Sequence, residues 1–194
     1  MNLKEALAVT AILACGAVLN FGYPIVAGAL SIPVGIEFVI VAYCLVVMTV
    51  SLPLAEVVGI GIISGVLNIL SNPAHVATIL SGQAATTAGI LALSNLVSEP
   101  VGITVCFFAF AYLAGRIRMG APLAVAFLAT MASGLVYLVT VLLLTPGIIA
   151  VQPEYVETFL LRVVQAAVVN AVVILVIYTA ISRHVKKILG GQAG

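Results

Sequence analysis

The fold class is decided by an apolar run, V-G-I-T-V-C-F-F-A-F-A-Y-L-A-G (residues 101–115), which directly follows S-N-L-V-S-E-P (residues 94–100). Glu99 and Pro100 interrupt a long uncharged part of the chain, because residues 57–98 contain no Asp, Glu, Lys or Arg. Over the whole chain 64% of residues are hydrophobic and only 7% are charged, whereas soluble domains average about 25% charged residues. So few charges cannot cover a water-exposed surface. The sequence therefore predicts an integral membrane protein built from helices, which satisfy their own backbone hydrogen bonds.

Charges and prolines divide the chain into six apolar segments, each long enough to cross a bilayer as a helix. We predict an all-α polytopic membrane protein in which residues 1–194 form a single six-helix domain. The predicted spans are 5–22, 34–50, 54–70, 101–118, 121–145 and 158–182.

The orientation of these spans follows from the basic residues near their ends, because cytoplasmic loops carry an excess of Lys and Arg. With the N-terminus inside, Arg162 is the one basic residue that falls outside. We therefore predict cytoplasmic N- and C-termini and a multi-pass protein of the cell (plasma) membrane. The basic residues placed in the cytoplasm are Lys4, Arg116, Arg118, Arg183, Lys186 and Lys187.

Three longer connections, 23–33, 71–100 and 146–157, then lie on the outer side, and we expect them to cover a pocket. Within the second, residues 74–93 are apolar and rich in small residues, which suggests an outer lid or a re-entrant segment. A seventh span is the alternative, but the Gly, Gln and Thr content of 74–93 disfavours it, and an extra crossing would disturb the charge bias.

Polar residues inside apolar spans are informative because burying them in a membrane is costly. On this topology they come from five spans and converge on the outer half, with Glu56 as the inner exception. An ion path would need polar groups through both halves, so this distribution favours an outward-facing pocket over a channel. The predicted substrate-binding residues are Glu37, Asn68, Asn95, Glu99, Ser133, Tyr137, Arg162, Gln165 and Asn170.

Structural roles compete with binding for several of these residues. Asn68 and Asn170 could be hydrogen-bonded contacts between helices, and Glu37 and Arg162 could extend to the membrane interface. Glu99 with Pro100 suits a helix N-terminus, since proline fits the first turn and an acidic residue favours the positive end of the helix dipole. The sequence predicts that Asn95 and Glu99 lie just outside the fourth span.

Rows of small residues let membrane helices approach closely. Gly61 and Gly65 in the third span suggest packing within the protein. The row in the first span indicates either internal packing or a docking face for another membrane protein. The predicted partner-docking residues are Ala6, Thr10, Ala11 and Ala14.

The chain contains no Asp and none of the short motifs typical of nucleotide hydrolysis, zinc proteases or serine hydrolases. Its two histidines have no second ligand nearby, so we predict neither a metal site nor a cofactor. We accordingly expect a protein that is not an enzyme and has no catalytic residues. Nothing in the charge distribution suggests nucleic acid as a partner.

Four stretches carry a family likeness: S-I-P-V-G-I-E-F (31–38), V-V-G-I-G-I-I-S-G-V-L-N (57–68), N-L-V-S-E-P-V-G-I-T-V-C-F-F-A-F (95–110) and R-V-V-Q-A-A-V-V-N-A (162–171). Together with the six predicted helices and the small-residue row in the first span, they resemble the substrate-binding S components of energy-coupling factor (ECF) transporters. Within that group the likeness is greatest to the tryptophan-transporter family, and this rests on the stretches 57–68, 95–110 and 162–171. The segment 74–93 departs from the family because it is longer than the usual outer connection.

The resemblance implies a subunit that captures a small-molecule substrate, most simply tryptophan or a related amino acid or vitamin, under its outer loops. It also implies that the first helix docks onto a transmembrane coupling subunit, and that separate ATPases drive the cycle. For a zwitterionic ligand, Glu37 or Glu99 would accept from the ammonium, while Arg162, Gln165 and Asn170 would hold the carboxylate. Tyr137, Phe21 and Tyr23 would wall an indole.

Two other functions fit the sequence. A scaffolding or assembly protein would use its polar residues only as contacts between helices and would bind no ligand. A stand-alone ion-coupled transporter would place Glu56 and Glu99 on a relay, although no convincing internal repeat supports it.

Overall fold

A computed structural model of the chain describes residues 1–30, 35–72, 85–117 and 120–188. These ranges are helical and contain no strand, which confirms the predicted all-α class. Five of the helices are long and apolar enough to span a membrane, as in a polytopic membrane protein. The elements are α1 (Leu3–Ala29), α2 (Phe38–Thr49), α3 (Leu54–Ser71), α4 (Ala85–Leu113), α5 (Ala121–Leu144), α6 (Ile148–Val151) and α7 (Tyr155–Ile188).

Helix α2 is shorter than predicted and lies in the middle of the bundle. It has 12 residues, and every residue from Val39 to Thr49 is buried. At 1.5 Å per residue it is about 18 Å long, less than the roughly 30 Å of a bilayer core. A full span over 34–50 is therefore not confirmed, because among the described residues of this segment the helix covers only Phe38–Thr49. Its apolar composition reflects burial by the surrounding helices.

Helix α4 begins well before the predicted start at residue 101. It runs from Ala85 through Pro100 to Leu113, so Pro100 is inside the helix and not in its first turn. Proline removes one backbone hydrogen bond there. Membrane helices tolerate this loss because neighbouring helices can satisfy the freed backbone group. The prediction that Asn95 and Glu99 lie outside the fourth span is wrong, since both are buried within α4.

The same helix accounts for part of the predicted outer lid. Residues 85–93 belong to the first turns of α4 and do not form a separate lid or re-entrant piece. The part of that segment within 73–84 lies outside the described residues. Because the helix is continuous, the polar residues of S-N-L-V-S-E-P-V-G are presented from one rigid element.

Helices α3 and α4 pack closely through two glycines. A Cβ on Gly61 would lie 2.6 Å from Pro100 Cα, and a Cβ on Gly65 would lie 2.8 Å from the Asn95 carbonyl oxygen. These distances are far shorter than carbon and oxygen atoms allow. The prediction that this glycine pair serves packing within the protein is confirmed, and the contact brings α3 against the polar part of α4.

Helix α1 starts with a capping box, in which Asn2 and Glu5 satisfy each other's backbone N–H groups. It packs against α2 and α3, and Gly16 permits its close approach to Phe38 and Ala42. Its predicted docking residues lie mostly on the opposite side. Ala6 is half-buried, and the exposed members of the row are Thr10, Ala11 and Ala14.

Candidate functional site

A cavity of about 340 Å³ lies toward one end of the bundle. It is formed by the start of α2, the end of α3, the middle of α4, the middle of α5 and the first turns of α7. The lining residues are Glu37, Ile40, Asn68, Asn72, Asn95, Ser98, Glu99, Thr130, Ser133, Gly134, Tyr137, Phe159, Arg162, Val163 and Ala166.

Seven of the nine predicted substrate-binding residues line this cavity: Glu37, Asn68, Asn95, Glu99, Ser133, Tyr137 and Arg162. The other two do not. Gln165 is exposed on α7, and Asn170 is fully buried behind the cavity. The structure thus brings together residues from α2, α3, α4, α5 and α7 that are far apart in the sequence, and the roles assigned to them remain predictions.

Four buried amide and carboxylate side chains form one hydrogen-bonded row across α1, α3 and α4. Asn20 Nδ2 donates to Asn68 Oδ1 at 3.4 Å and to Ser71 Oγ at 3.0 Å. Asn68 Nδ2 in turn donates to Asn95 Oδ1 at 3.1 Å and to Glu99 Oε1 at 2.8 Å. Since each of these groups is buried, the row both joins the helices and holds the Glu99 carboxylate in one orientation.

The amino end of α2 is held by side chains from other helices. Phe38 N–H donates to Asn20 Oδ1 at 3.1 Å, and Glu37 N–H donates to Asn170 Oδ1 at 3.2 Å. Asn170 Nδ2 also donates to Thr130 Oγ1 at 3.2 Å. Asn170 therefore caps a helix and contacts α5, which agrees with the structural role weighed for it. It does not itself line the cavity, and its predicted contact with a ligand carboxylate stays a prediction.

Glu99 is the deepest charged group of the cavity. Its side chain is only 2% exposed, and Oε2 has no hydrogen-bond partner among the described residues. The Tyr43 hydroxyl and Ser98 Oγ are likewise buried without a partner in those ranges. Tyr43 and Ser133 lie close to one another, since both would contact a Cβ placed on Gly102. Polar atoms without partners are thus gathered beside one carboxylate.

Aromatic rings lie near the mouth of the cavity. Tyr137 and Phe159 are stacked, with ring centroids 5.6 Å apart and planes 3° apart, and Tyr155 stacks on Phe159 at 6.0 Å. Tyr137 is the member of this group that the sequence predicted. Phe21 is exposed and Tyr23 packs edge-to-face on Phe38, so neither belongs to the cavity wall that was predicted to include them.

A second cavity, of about 580 Å³, lies at the other end of the bundle. It is lined by the start of α1, the end of α2 and residues of α4 near Phe107 and Phe110. At the same end the Met1 amino group donates to Glu56 Oε1 at 2.7 Å, and this hydrogen bond and the charge of the carboxylate raise the pKa of the amino group. The fully buried helix α2 therefore separates two cavities.

Sequence reasoning missed several residues of the site. Asn20 carried a usable signal, because an amide in an apolar span is costly to bury without a partner. Ser98, Thr130 and Tyr43 carried none, since small hydroxyls and single tyrosines are common in membrane helices. Phe159 belongs to an apolar run in which nothing distinguishes it from residues that face lipid.

Comparison with known proteins found no match for this chain, neither to a family model, nor to a curated protein, nor to a solved structure.

Proposed function

We propose that this chain is the substrate-capturing membrane subunit of an uptake system for a small molecule. The substrate class is tryptophan or a related amino acid or vitamin. Transport is energised by a separate ATP-hydrolysing coupling module, as the resemblance to ECF S components implies. The chain itself carries out no catalysis and uses no cofactor in this proposal.

The observation that carries the proposal is a single cavity that is lined by Glu37, Glu99 and Arg162. Its volume lies within the range of about 300–1,000 Å³ that small-molecule sites occupy. The cavity combines carboxylates, a guanidinium group and an aromatic wall, which together suit a zwitterion with an aromatic side chain. A scaffolding protein has no need for such a set of polar groups around an open volume.

The partner part of the proposal is supported by the exposed side of α1. Thr10, Ala11 and Ala14 do not pack within the described part of the chain but present a row of small side chains to its surroundings. Small residues allow a neighbouring helix to approach closely within the bilayer. The proposed occupant of this face is the transmembrane coupling subunit.

The binding proposal is tested with the fluorescence of the ligand itself. The chain contains no tryptophan, so indole emission reports ligand alone, and its anisotropy will rise on saturable binding to detergent-purified protein. Ala166→Leu, which fills the cavity, should weaken binding at least about tenfold. Ala180→Leu, exposed on the same helix, serves as the matched control and should bind normally. Flat titrations with tryptophan and with competing amino acids and vitamins would rule out the proposal.

A stand-alone ion-coupled transporter is the second candidate, and the pair of cavities on either side of α2 favours it. Such a transporter would move substrate from one cavity to the other as α2 shifts. Ion-driven uptake by proteoliposomes that contain this chain alone would support this candidate over the first.

A further inference from the structure

The side-chain amides near Glu99 already use hydrogen-bond donors within the protein. Both hydrogens of the Asn68 amide are donated, one to Asn95 Oδ1 and one to Glu99 Oε1, and its oxygen accepts from Asn20. The Asn95 amide donates to the Leu91 carbonyl oxygen at 2.9 Å. A side-chain amide has two hydrogens to give, so Asn68 has no donor left for a ligand. These amides position the carboxylate.

Glu99 Oε2, unlike the Asn68 amide, has no hydrogen-bond partner among the described residues. It is buried, and it belongs to a side chain that lines the cavity. The Tyr43 and Ser133 hydroxyls lie near the carboxylate. A buried acceptor without a donor is costly, and a buried carboxylate without a countercharge is more so. A carboxylate can only accept hydrogen bonds. The group that would complete this site is therefore a donor, and most favourably a cationic one.

We propose that Glu99 Oε2 is the recognition point for a protonated amine of the ligand, with Asn20, Asn68 and Asn95 as positioning residues. This inference rests on the proposed function and specifies its substrate class: an amine-bearing molecule whose aromatic or apolar body extends toward Tyr137 and Phe159. An ammonium group has three hydrogens, and Ser98 Oγ, on a residue that also lines the cavity, is buried without a partner among the described residues. The essential charge on the ligand is its amine and not its carboxylate.

Three indole probes separate these charges in wild-type protein. Tryptophan has both groups, tryptamine keeps the amine, and indole-3-propionate keeps the carboxylate. We expect tryptamine to bind within about tenfold of tryptophan, and indole-3-propionate to bind roughly 100-fold more weakly, because it leaves the buried carboxylate without a donor. Equal binding of tryptophan and indole-3-propionate would contradict the role of the amine and leave the proposed function standing. Binding of none of the probes would contradict both.

Substitutions test whether Glu99 is the residue that causes the preference for tryptamine over indole-3-propionate. Glu99→Gln keeps an oxygen for Asn68 and should fold, but it should remove most of the preference for tryptamine over indole-3-propionate. Asn68→Ala should weaken tryptamine binding about tenfold while retaining that preference, as expected of a positioning residue. The matched control, Glu56→Gln at the other end of the bundle, should leave both quantities unchanged. A Glu99→Gln protein with wild-type preference would overturn the proposal.

Discussion

Gly61 illustrates how a single atom controls helix packing in this bundle. A Cβ at this position would lie 2.6 Å from Pro100 Cα and 2.7 Å from Ile103 Cγ2, both on α4. Gly59, only two residues earlier on α3, has no atom within 4 Å of the corresponding point. The two glycines therefore belong to the same helix, but only Gly61 is tightly packed against another helix.

Replacing these glycines by alanine should have opposite effects on stability. Gly61→Ala forces α3 away from Pro100 and should lower the free energy of unfolding by about 1–3 kcal/mol. Gly59→Ala meets open space and should be neutral or stabilising by up to about 1 kcal/mol, since alanine favours helix. Thermal unfolding of both proteins in the same detergent measures the difference. Equal stability would show that the α3–α4 contact is looser than described.

Helix α1 has a buried side and an exposed side. Val9, Leu13 and Gly16 are buried against the bundle, and the opposite side carries Thr10 and Ala14 with exposed side chains. Substitutions on the second side leave the bundle intact, so they separate ligand binding from coupling to a partner.

We expect Thr10→Leu combined with Ala14→Leu to abolish uptake in cells that contain the coupling module, because bulky side chains prevent close approach of a second helix. Binding of ligand by the purified protein should be unchanged, since neither residue lines the cavity. Val18→Leu, exposed on the same helix, is the control and should retain uptake. Normal uptake by the double variant would place the docking face elsewhere.

The whole molecule has two distinct ends. The cavity that contains Glu99 and Arg162 lies toward one, whereas the start of α1 and the end of α4, with exposed Lys4 and Arg116, lie at the other. The positive-inside rule predicts that the second end is cytoplasmic. The cavity would then open outward, as an uptake subunit requires.

Thiol labelling of intact cells tests this orientation. In a background without the native cysteines, Gln152→Cys near the start of α7 should react with a membrane-impermeant maleimide from outside. Arg116→Cys should react only after the cells are permeabilised. The reverse pattern would turn the cavity toward the cytoplasm and contradict substrate capture from outside.

Composition and residue type are enough to predict the class of this protein and most of the polar residues that line its cavity. Low charge and long apolar runs favour a helical membrane protein, because helices satisfy their own backbone hydrogen bonds in lipid and the sequence lacks the alternating pattern of barrel strands. The cost of burying polar groups in a membrane singles out Glu37, Asn68 and Glu99 from their residue types and positions in the chain. Both inferences depend on solvation, which is a property of residue type and is readable from one chain.

The arrangement of those residues depends on packing between helices that are far apart in the sequence. The structure places Pro100 within a helix and packs it against Gly61, and it encloses α2 among the neighbouring helices. The distinction between Asn68, whose hydrogens are occupied, and Glu99 Oε2, which has no described partner, rests on distances of a few ångströms between separate helices. Such distances follow from side-chain packing, which the order of residues along the chain does not display.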